Sequence, residues 1–249
     1  MDNLFPYLVK RKSFRKYNPQ LSITIDELSL ITESMKTIKG LNPLIKTDFK
    51  IVKASETTAK FGEYCLLFYS EDHPQKLVNA GFILEKIDLY MASINIGACW
   101  YGIARTKEKT YHGLKYVIML AFGKVNSTEF RNSSADFNRK TLSELWEGDF
   151  DSNVKDSVIL APSACNSQPW RFKSSGQRID LYRKQSIRTI MPLGIRSYFN
   201  MIDSGIVLAF LDIALSNYRY RYQIDLASDF STKEDLVYIA SINTERQGE

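Results

Sequence analysis

The chain has 249 residues, 44% hydrophobic and 24% charged, which allows one large domain or two small ones and argues against a disordered or fibrous protein. Its formal charge of +5 is mild for that length, and basic runs such as "KRKSFRK" (10–16) and "YRYRY" (218–222) are local, so no nucleic acid is expected among its partners. The longest apolar run, Gly205–Leu215, is interrupted by Asp212 and falls short of the roughly 18–20 residues that cross a bilayer. The N-terminal "MDNLFPYLVKRKSF" places its acid first and its bases after the apolar part, the reverse of a secretory signal. A cytoplasmic protein without a membrane partner is therefore expected. Cys65, Cys99 and Cys165 form no CxxC pair and are odd in number, which argues against a disulfide framework. His73 and His112 lie in turn-like stretches, read as surface loops, and two histidines cannot build a typical zinc site with those cysteines. No metal is expected.

In chain order, "SITIDELSLITESMKTIKG" (22–40) predicts a helix. Thr24 and Glu27 can form a capping box, and Ile23 and Leu28 stand where a hydrophobic staple would form. Ile25, Leu28, Ile31, Met35 and Ile38 recur at helical spacing as its buried face, and Gly40 is the stop signal. Residues 48–54 and 64–70 read as strands, the second apolar enough to be central. Residues 80–96 are apolar almost all round and predict a helix buried on most faces. Gly97 is read as its end and "CWYG" (99–102) as the start of a turn. Residues 116–125 read as a buried strand. The polar passage 126–153 has no strong period and is the natural seam, with halves at about 1–148 and 149–249. A short helix over Asn153–Leu160 follows, then a loop, a hairpin over 170–184 around "SSGQ", a mostly apolar helix over 199–218 and a buried strand over 235–241. "YRYRY" is read as a strand or helix end with alternating faces. Each half runs helix, strand, buried helix, strand, the pattern of a degenerate duplication.

Two segments carry chemistry. In "KRKSFRKY" (10–17), Arg11, Lys12, Ser13 and Arg15 gather three cations and a hydroxyl within five residues, a set that suits a phosphate dianion; a basic surface turn is the plainer alternative. In "APSACNSQPW" (161–170), Pro162 and Pro169 stiffen both ends. Between them Ser163, Asn166 and Gln168 offer donors and acceptors. These suit the edge of a planar heterocycle or equally the loop's own backbone. Trp170 is expected to anchor the exit in the core, and Cys165 to be a small buried filler. G-x-G-x-x-G, Walker A and G-x-S-x-G sequences do not occur, which disfavours Rossmann, P-loop and ordinary α/β-hydrolase sites.

The segment "APSACNSQPWRF" (161–172) closely resembles the signature of the flavin-dependent nitroreductase family. "RKSFRKY" (11–17) is similar to that family's phosphate-binding segment, and "GFILEKIDLYMASINIGACWYG" (81–102) to its central helix and the turn beside the flavin. "MLAFGKV" (119–125) with "NRKTLSELW" (138–146) looks like its late strand and following basic segment. The resemblance implies an α+β nitroreductase fold, FMN as cofactor, NADH or NADPH as donor, and a small electron-poor acceptor such as a nitroaromatic or quinone. Flavin or enone reduction, reductive dehalogenation and flavin binding without turnover are its alternatives. It further implies that Arg11, Ser13 and Arg139 or Lys140 hold the phosphate, with Lys12 beside them. Arg15 would approach the N1/C2=O side of the ring. Pro162, Ser163, Ala164 and Asn166, with Gln168, would pack and hydrogen-bond on the ring, and the backbone about Tyr101–Gly102 would face N5. In ordinary members the signature loop precedes the central helix, and each FMN lies between two subunits. Here the basic motif occurs only in the first half and the loop only in the second, while "KGLNPLIKTDF" (39–49) lacks the signature. The expectation is a monomer whose two degenerate halves pack as a pseudo-dimer around one FMN.

Overall fold

The computed structural model describes residues 3–248. The chain divides into two compact units, one of Met1–Lys76 and Ile83–Asp136, the other of Leu77–Phe82 and Phe137–Glu249. The changeover after Asp136 falls within the polar passage 126–153.

The first unit opens with α1 (Tyr7–Lys10) and α2 (Ile25–Thr37). The capping box forms: Glu27 N–H donates to Thr24 Oγ1 at 3.2 Å, and Thr24 N–H donates to Glu27 Oε2 at 2.9 Å. The buried face is narrower than its spacing suggests. Ile31, Ser34 and Met35 are buried, but Ile25 is 82% exposed, because six residues carry it about 120° around the helix from Ile31. The helix also stops at Thr37, ahead of Gly40. Strands β1 (Thr47–Lys53) and β2 (Tyr64–Ser70) lead to α3 (Lys76–Ser93), and then to β3 (Ile96–Trp100), β4 (Thr110–Tyr111) and β5 (Leu114–Lys124). They form an antiparallel sheet in the order β1-β2-β5-β3, with β4 also on β5. Its central strands bury Cys65–Ser70 and Val117–Gly123, as continuous apolar runs must. One correction concerns Gly97. It does not end the helix but lies inside β3, paired with Gly123. Asn95, in the left-handed region at φ 59°, makes the break after α3 instead. A Cβ on Gly97 would come within 2.8 Å of the Phe14 ring, and one on Gly123 within 2.7 Å of the Tyr17 ring. Both glycines are required by packing rather than by a turn, and the turn begins only at Tyr101.

The second unit contains α4 (Leu142–Leu145), β6 (Trp146–Glu147), α5 (Ser152–Val158), β7 (Trp170–Ser175), β8 (Arg178–Lys184), α6 (Leu193–Asn217), β9 (Tyr220–Leu226), β10 (Thr232–Lys233) and β11 (Leu236–Arg246). Trp170 is fully buried at the loop exit. "YRYRY" enters β9, whose faces alternate between partly buried and exposed. Helix α6 starts six residues earlier than its apolar run and is long and apolar enough to cross a membrane, but 83% of the qualifying window is buried inside the protein. It is a core helix. It meets the start of α3 at two glycines: a Cβ on Gly205 would lie 1.9 Å from Val78 O, and one on Gly81 2.0 Å from Ile202 O.

The two sheets are built alike. The second runs β7-β8-β11 with β9 and β10 on the far side of β11, and adds β6 parallel to β7. Strands β1, β2, β3, β4 and β5 therefore correspond to β7, β8, β9, β10 and β11, and α3 to α6. The backbone repeats as well. Asn95 and Arg219, each just before β3 or β9, both have φ 59°, and His112 and Glu234 turn the β4–β5 and β10–β11 connections at φ 47° and 56°. With 34% helix and 28% strand in sheets that are antiparallel except for the β6–β7 pair, the fold is α+β.

Candidate functional site

In the first unit the basic segment is fastened to the sheet by its aromatics. Phe14 N–H donates to Ala98 O at 3.0 Å, the Phe14 ring packs edge-on against Phe130 at 4.9 Å, and the Tyr17 hydroxyl donates toward Phe14 O and Ala121 O. This leaves the polar residues between them fixed. Arg11 is 2% exposed. Its Nε lies 2.7 Å from Asp88 Oδ2 and 3.3 Å from Glu85 Oε1, both on α3, and its Nη2 donates to Ser13 Oγ at 3.0 Å. Burial works against this guanidinium, but Asp88 and Glu85 outweigh it and hold its pKa above the usual value. Burial pushes the Asp88 carboxyl up, with Arg11 opposing. Glu85 also accepts from Trp100 Nε1 at 3.0 Å. Neither acid figures in the basic motif. The signal that could have found them is two carboxylates three residues apart in an otherwise apolar helix, which requires a buried cation opposite. Lys12 Nζ donates to Glu129 O at 3.1 Å. Arg15 is exposed and makes no hydrogen bond or ion pair among the described residues. Arg131 Nη1 donates to Arg11 O at 2.6 Å, adding a further cation to the turn.

The Tyr101–Gly102 backbone also lies in the first unit. Tyr101 N–H donates to Met119 O at 3.0 Å, which ties the turn to β5. The Tyr101 ring stacks on Phe61 at 4.4 Å with the planes 2° apart. Gly102 O accepts from Arg105 Nη1 at 3.1 Å.

In the second unit the proline-bracketed loop has an unusual backbone. Cys165, Asn166 and Gln168 all have left-handed φ, at 52°, 52° and 47°. Such conformations cost of order 1 kcal/mol or more each for non-glycine residues and persist only where surrounding groups hold them. Those groups are visible. Asn166 N–H donates to Ser163 O at 3.0 Å and Gln168 N–H to Ser163 Oγ at 2.9 Å. Ala164 N–H donates to Asp203 Oδ1 at 2.9 Å. Arg139 Nη1 reaches Asn166 Oδ1 at 2.9 Å, and Asn166 Nδ2 donates to Asn138 O at 2.9 Å. Lys140 N–H donates to Gln168 Oε1 and its Nζ to Ser167 O, each at 2.9 Å. The structure thus brings Ser163, Ala164, Asn166, Gln168, Arg139 and Lys140 into one network. Pro162 and Gln168 are buried, whereas Asn166 lies outside. Cys165 corrects an expectation: it is exposed rather than a buried filler, because its left-handed φ turns the peptide outward between two anchored neighbours. Asp203, enclosed on α6, holds the loop from behind and, like Glu85 and Asp88, was missed by sequence reasoning. Burial pushes its pKa up to about 8, against the Ala164 bond.

The residues of each unit fit a phosphorylated, planar cofactor. The first unit offers Arg11 Nη1, which makes no hydrogen bond among the described residues, with the Ser13 hydroxyl, Lys12 and the exposed Arg15. The second offers a stiff loop whose conformation is held from behind. Among the described residues no cluster of three His, Cys, Asp or Glu side chains could hold a metal ion.

Comparison with known proteins yields a match over residues 3–215 to the family described as "Putative TM nitroreductase". A solved structure described as a putative nitroreductase of Thermotoga maritima MSB8 shares 19% identity over 95% of this chain and 93% of its own, with a TM-score of 0.63. It has the same fold. A solved structure described as a putative nitroreductase in complex with FMN, from Desulfovibrio desulfuricans, shares 16% identity over 61% of this chain and 99% of its own, with a TM-score of 0.45. No curated protein matches the chain.

Proposed function

The chain belongs to the family described as "Putative TM nitroreductase", and from that premise we propose that it is an FMN-dependent oxidoreductase using NADH or NADPH. The observation that carries the proposal is the left-handed run Cys165–Asn166 and Gln168, held by Asp203, Arg139 and Lys140. Strain maintained by so many bonds belongs to a ligand-holding loop. Bound FMN would supply the redox chemistry, accepting hydride from the nicotinamide and delivering it to an electron-poor acceptor such as a nitroaromatic or a quinone.

The protein's own residues would do the rest. Arg11 Nη1, Ser13 and Lys12 would hold the phosphate, with Glu85 and Asp88 fixing the Arg11 side chain from behind. Arg15 would place its charge near the N1/C2=O edge, favouring negative charge there. Pro162, Ser163, Ala164 and Asn166 would present a rigid face to the ring, with Gln168 closing the loop beneath. Arg139 and Lys140 brace that loop and add positive field for the phosphate. The Tyr101–Gly102 backbone would face N5. We further propose that the halves mimic a homodimer with one FMN per chain. The matching strand order of the two sheets supports this. So does the glycine contact, in which Gly81 meets Ile202 and Gly205 meets Val78, each glycine three residues after the carbonyl the other approaches. Such reciprocity is what a two-fold relation produces.

Purified protein tests the reading directly. It should carry or take up FMN, show flavin absorbance and bleach when NADH or NADPH is added without air. A protein that takes up no FMN contradicts the cofactor. Colour that neither nucleotide bleaches contradicts the donor.

A further inference from the structure

Arg183 has no counterpart in the first unit. It stands on β8 on the core-facing side with Ile179 and Leu181 and is 6% exposed. At the corresponding place of β2 is Ser70, whose hydroxyl donates to Glu71 O at 3.0 Å. A buried guanidinium carries a fixed charge and five donors, and is normally met by carboxylates, as Arg11 is. Arg183 makes no hydrogen bond and no ion pair among the described residues, and its Nε is fully enclosed without an acceptor. The carboxylate that acts on it, Asp235, already accepts from Ser186 N–H at 2.8 Å and from the Ser186 hydroxyl.

The surroundings are short of acceptors too. Trp170 on β7 is the direct cross-strand partner of Arg183, with Cβ atoms about 5 Å apart on one face of the sheet. Its indole N–H is buried and unpaired. Helix α6 packs on both strands. On it Asn200 is fully buried, accepts from Ser167 Oγ at 3.5 Å, and leaves Nδ2 without an acceptor. One turn earlier, Arg196 donates through Nη2 to Met191 O at 3.1 Å, while its Nε is buried and unpaired. Four enclosed N–H donors, two of them cationic, therefore lie on adjoining elements of one unit. Asp203 Oδ2, also enclosed without a partner, offers no compensating charge at neutral pH, because burial pushes that carboxyl's pKa up to about 8.

We propose that Arg183, through its Nη groups, is the anchor of a binding site for the carboxylate of a small organic acid. The paired Nη groups of a guanidinium match two carboxylate oxygens. On the same face of the sheet Leu181, Trp170 and Phe172 are buried and apolar, which favours a monoanion with an apolar body over a dianion, since a second charge would be costly to desolvate. The inference does not depend on the flavin reading.

The test uses the full chain with sodium benzoate, sodium phosphate and sodium chloride at equal ionic strength, read by calorimetric titration and Tm. Benzoate is expected to bind saturably and raise Tm, and chloride to do neither. Arg183→Met should weaken benzoate on the order of 30-fold or more and raise the Tm of the ligand-free protein, because it replaces an unpaired buried cation by an apolar chain of similar length. Arg183→Lys keeps the charge without the fork and should also lose benzoate, which covers a Met variant that fails to fold. The proposal is overturned if benzoate does not saturate, if both variants bind it as before, if phosphate binds in its place, or if Arg183→Met lowers Tm and leaves benzoate binding intact.

Discussion

At the scale of single residues, buried charge marks the candidate residues of each unit. Arg11 lies between Asp88 and Glu85 with all three enclosed. Arg11→Met leaves two buried carboxylates without a cation and should lower the unfolding free energy by about 3–5 kcal/mol, as read by urea unfolding. Adding Glu85→Gln and Asp88→Asn should restore most of it. Asp203 gives a prediction with a definite sign. Its folded pKa of about 8 lies above the ordinary 3.8, so between those values the folded protein holds a proton that the unfolded chain has released. Stability should therefore fall as pH rises from about 4 to about 8, by up to about 1.4 kcal/mol per pH unit. Asp203→Asn can still accept from Ala164 N–H and should remove that slope, which urea unfolding across the range would measure. The cations of the basic turn and the polar loop residues were legible in the sequence because they cluster. The acids were not, because Glu85, Asp88 and Asp203 lie in apolar helices and their partners come from distant segments.

At the scale of elements, local signals fared well where the cause was local. The Thr24–Glu27 box, the apolar β2 and the β7–β8 hairpin all form where their residues indicate. Strand β3 was hidden because Gly97 has the look of a helix stop, while its actual requirement is room for the Phe14 ring, a contact no local window contains. Glycines that meet backbone should be far less replaceable than glycines that meet side chains. Gly205→Ala would drive a Cβ to 1.9 Å from Val78 O and should cost about 3 kcal/mol or more, at the upper end for overpacking. Gly97→Ala meets only the Phe14 and Val125 side chains and should cost less, roughly 1–2 kcal/mol. Thermal unfolding of the two variants side by side checks the ranking.

At the scale of the whole molecule, the chain repeats one design: the same strand order, the same place for the long apolar helix, and left-handed residues at the same two turns. The sequence shows this only as a coarse alternation of elements, since a shared topology survives when side chains diverge. It also explains why the late loop could be recognised from its own residues, whereas β10 could not, and β9 only as a strand or helix end with alternating faces. On the proposed reading the repeat has kept a phosphate-holding turn in one half and a ring-holding loop in the other. The most direct measurement is a fluorescence titration of the flavin-free chain with FMN and, separately, with riboflavin. The account predicts one FMN per chain, bound more tightly than riboflavin; Ser13→Ala narrows that difference and Asn166→Ala weakens both ligands. Two FMN per chain, or FMN and riboflavin bound alike and unaffected by either substitution, would contradict it.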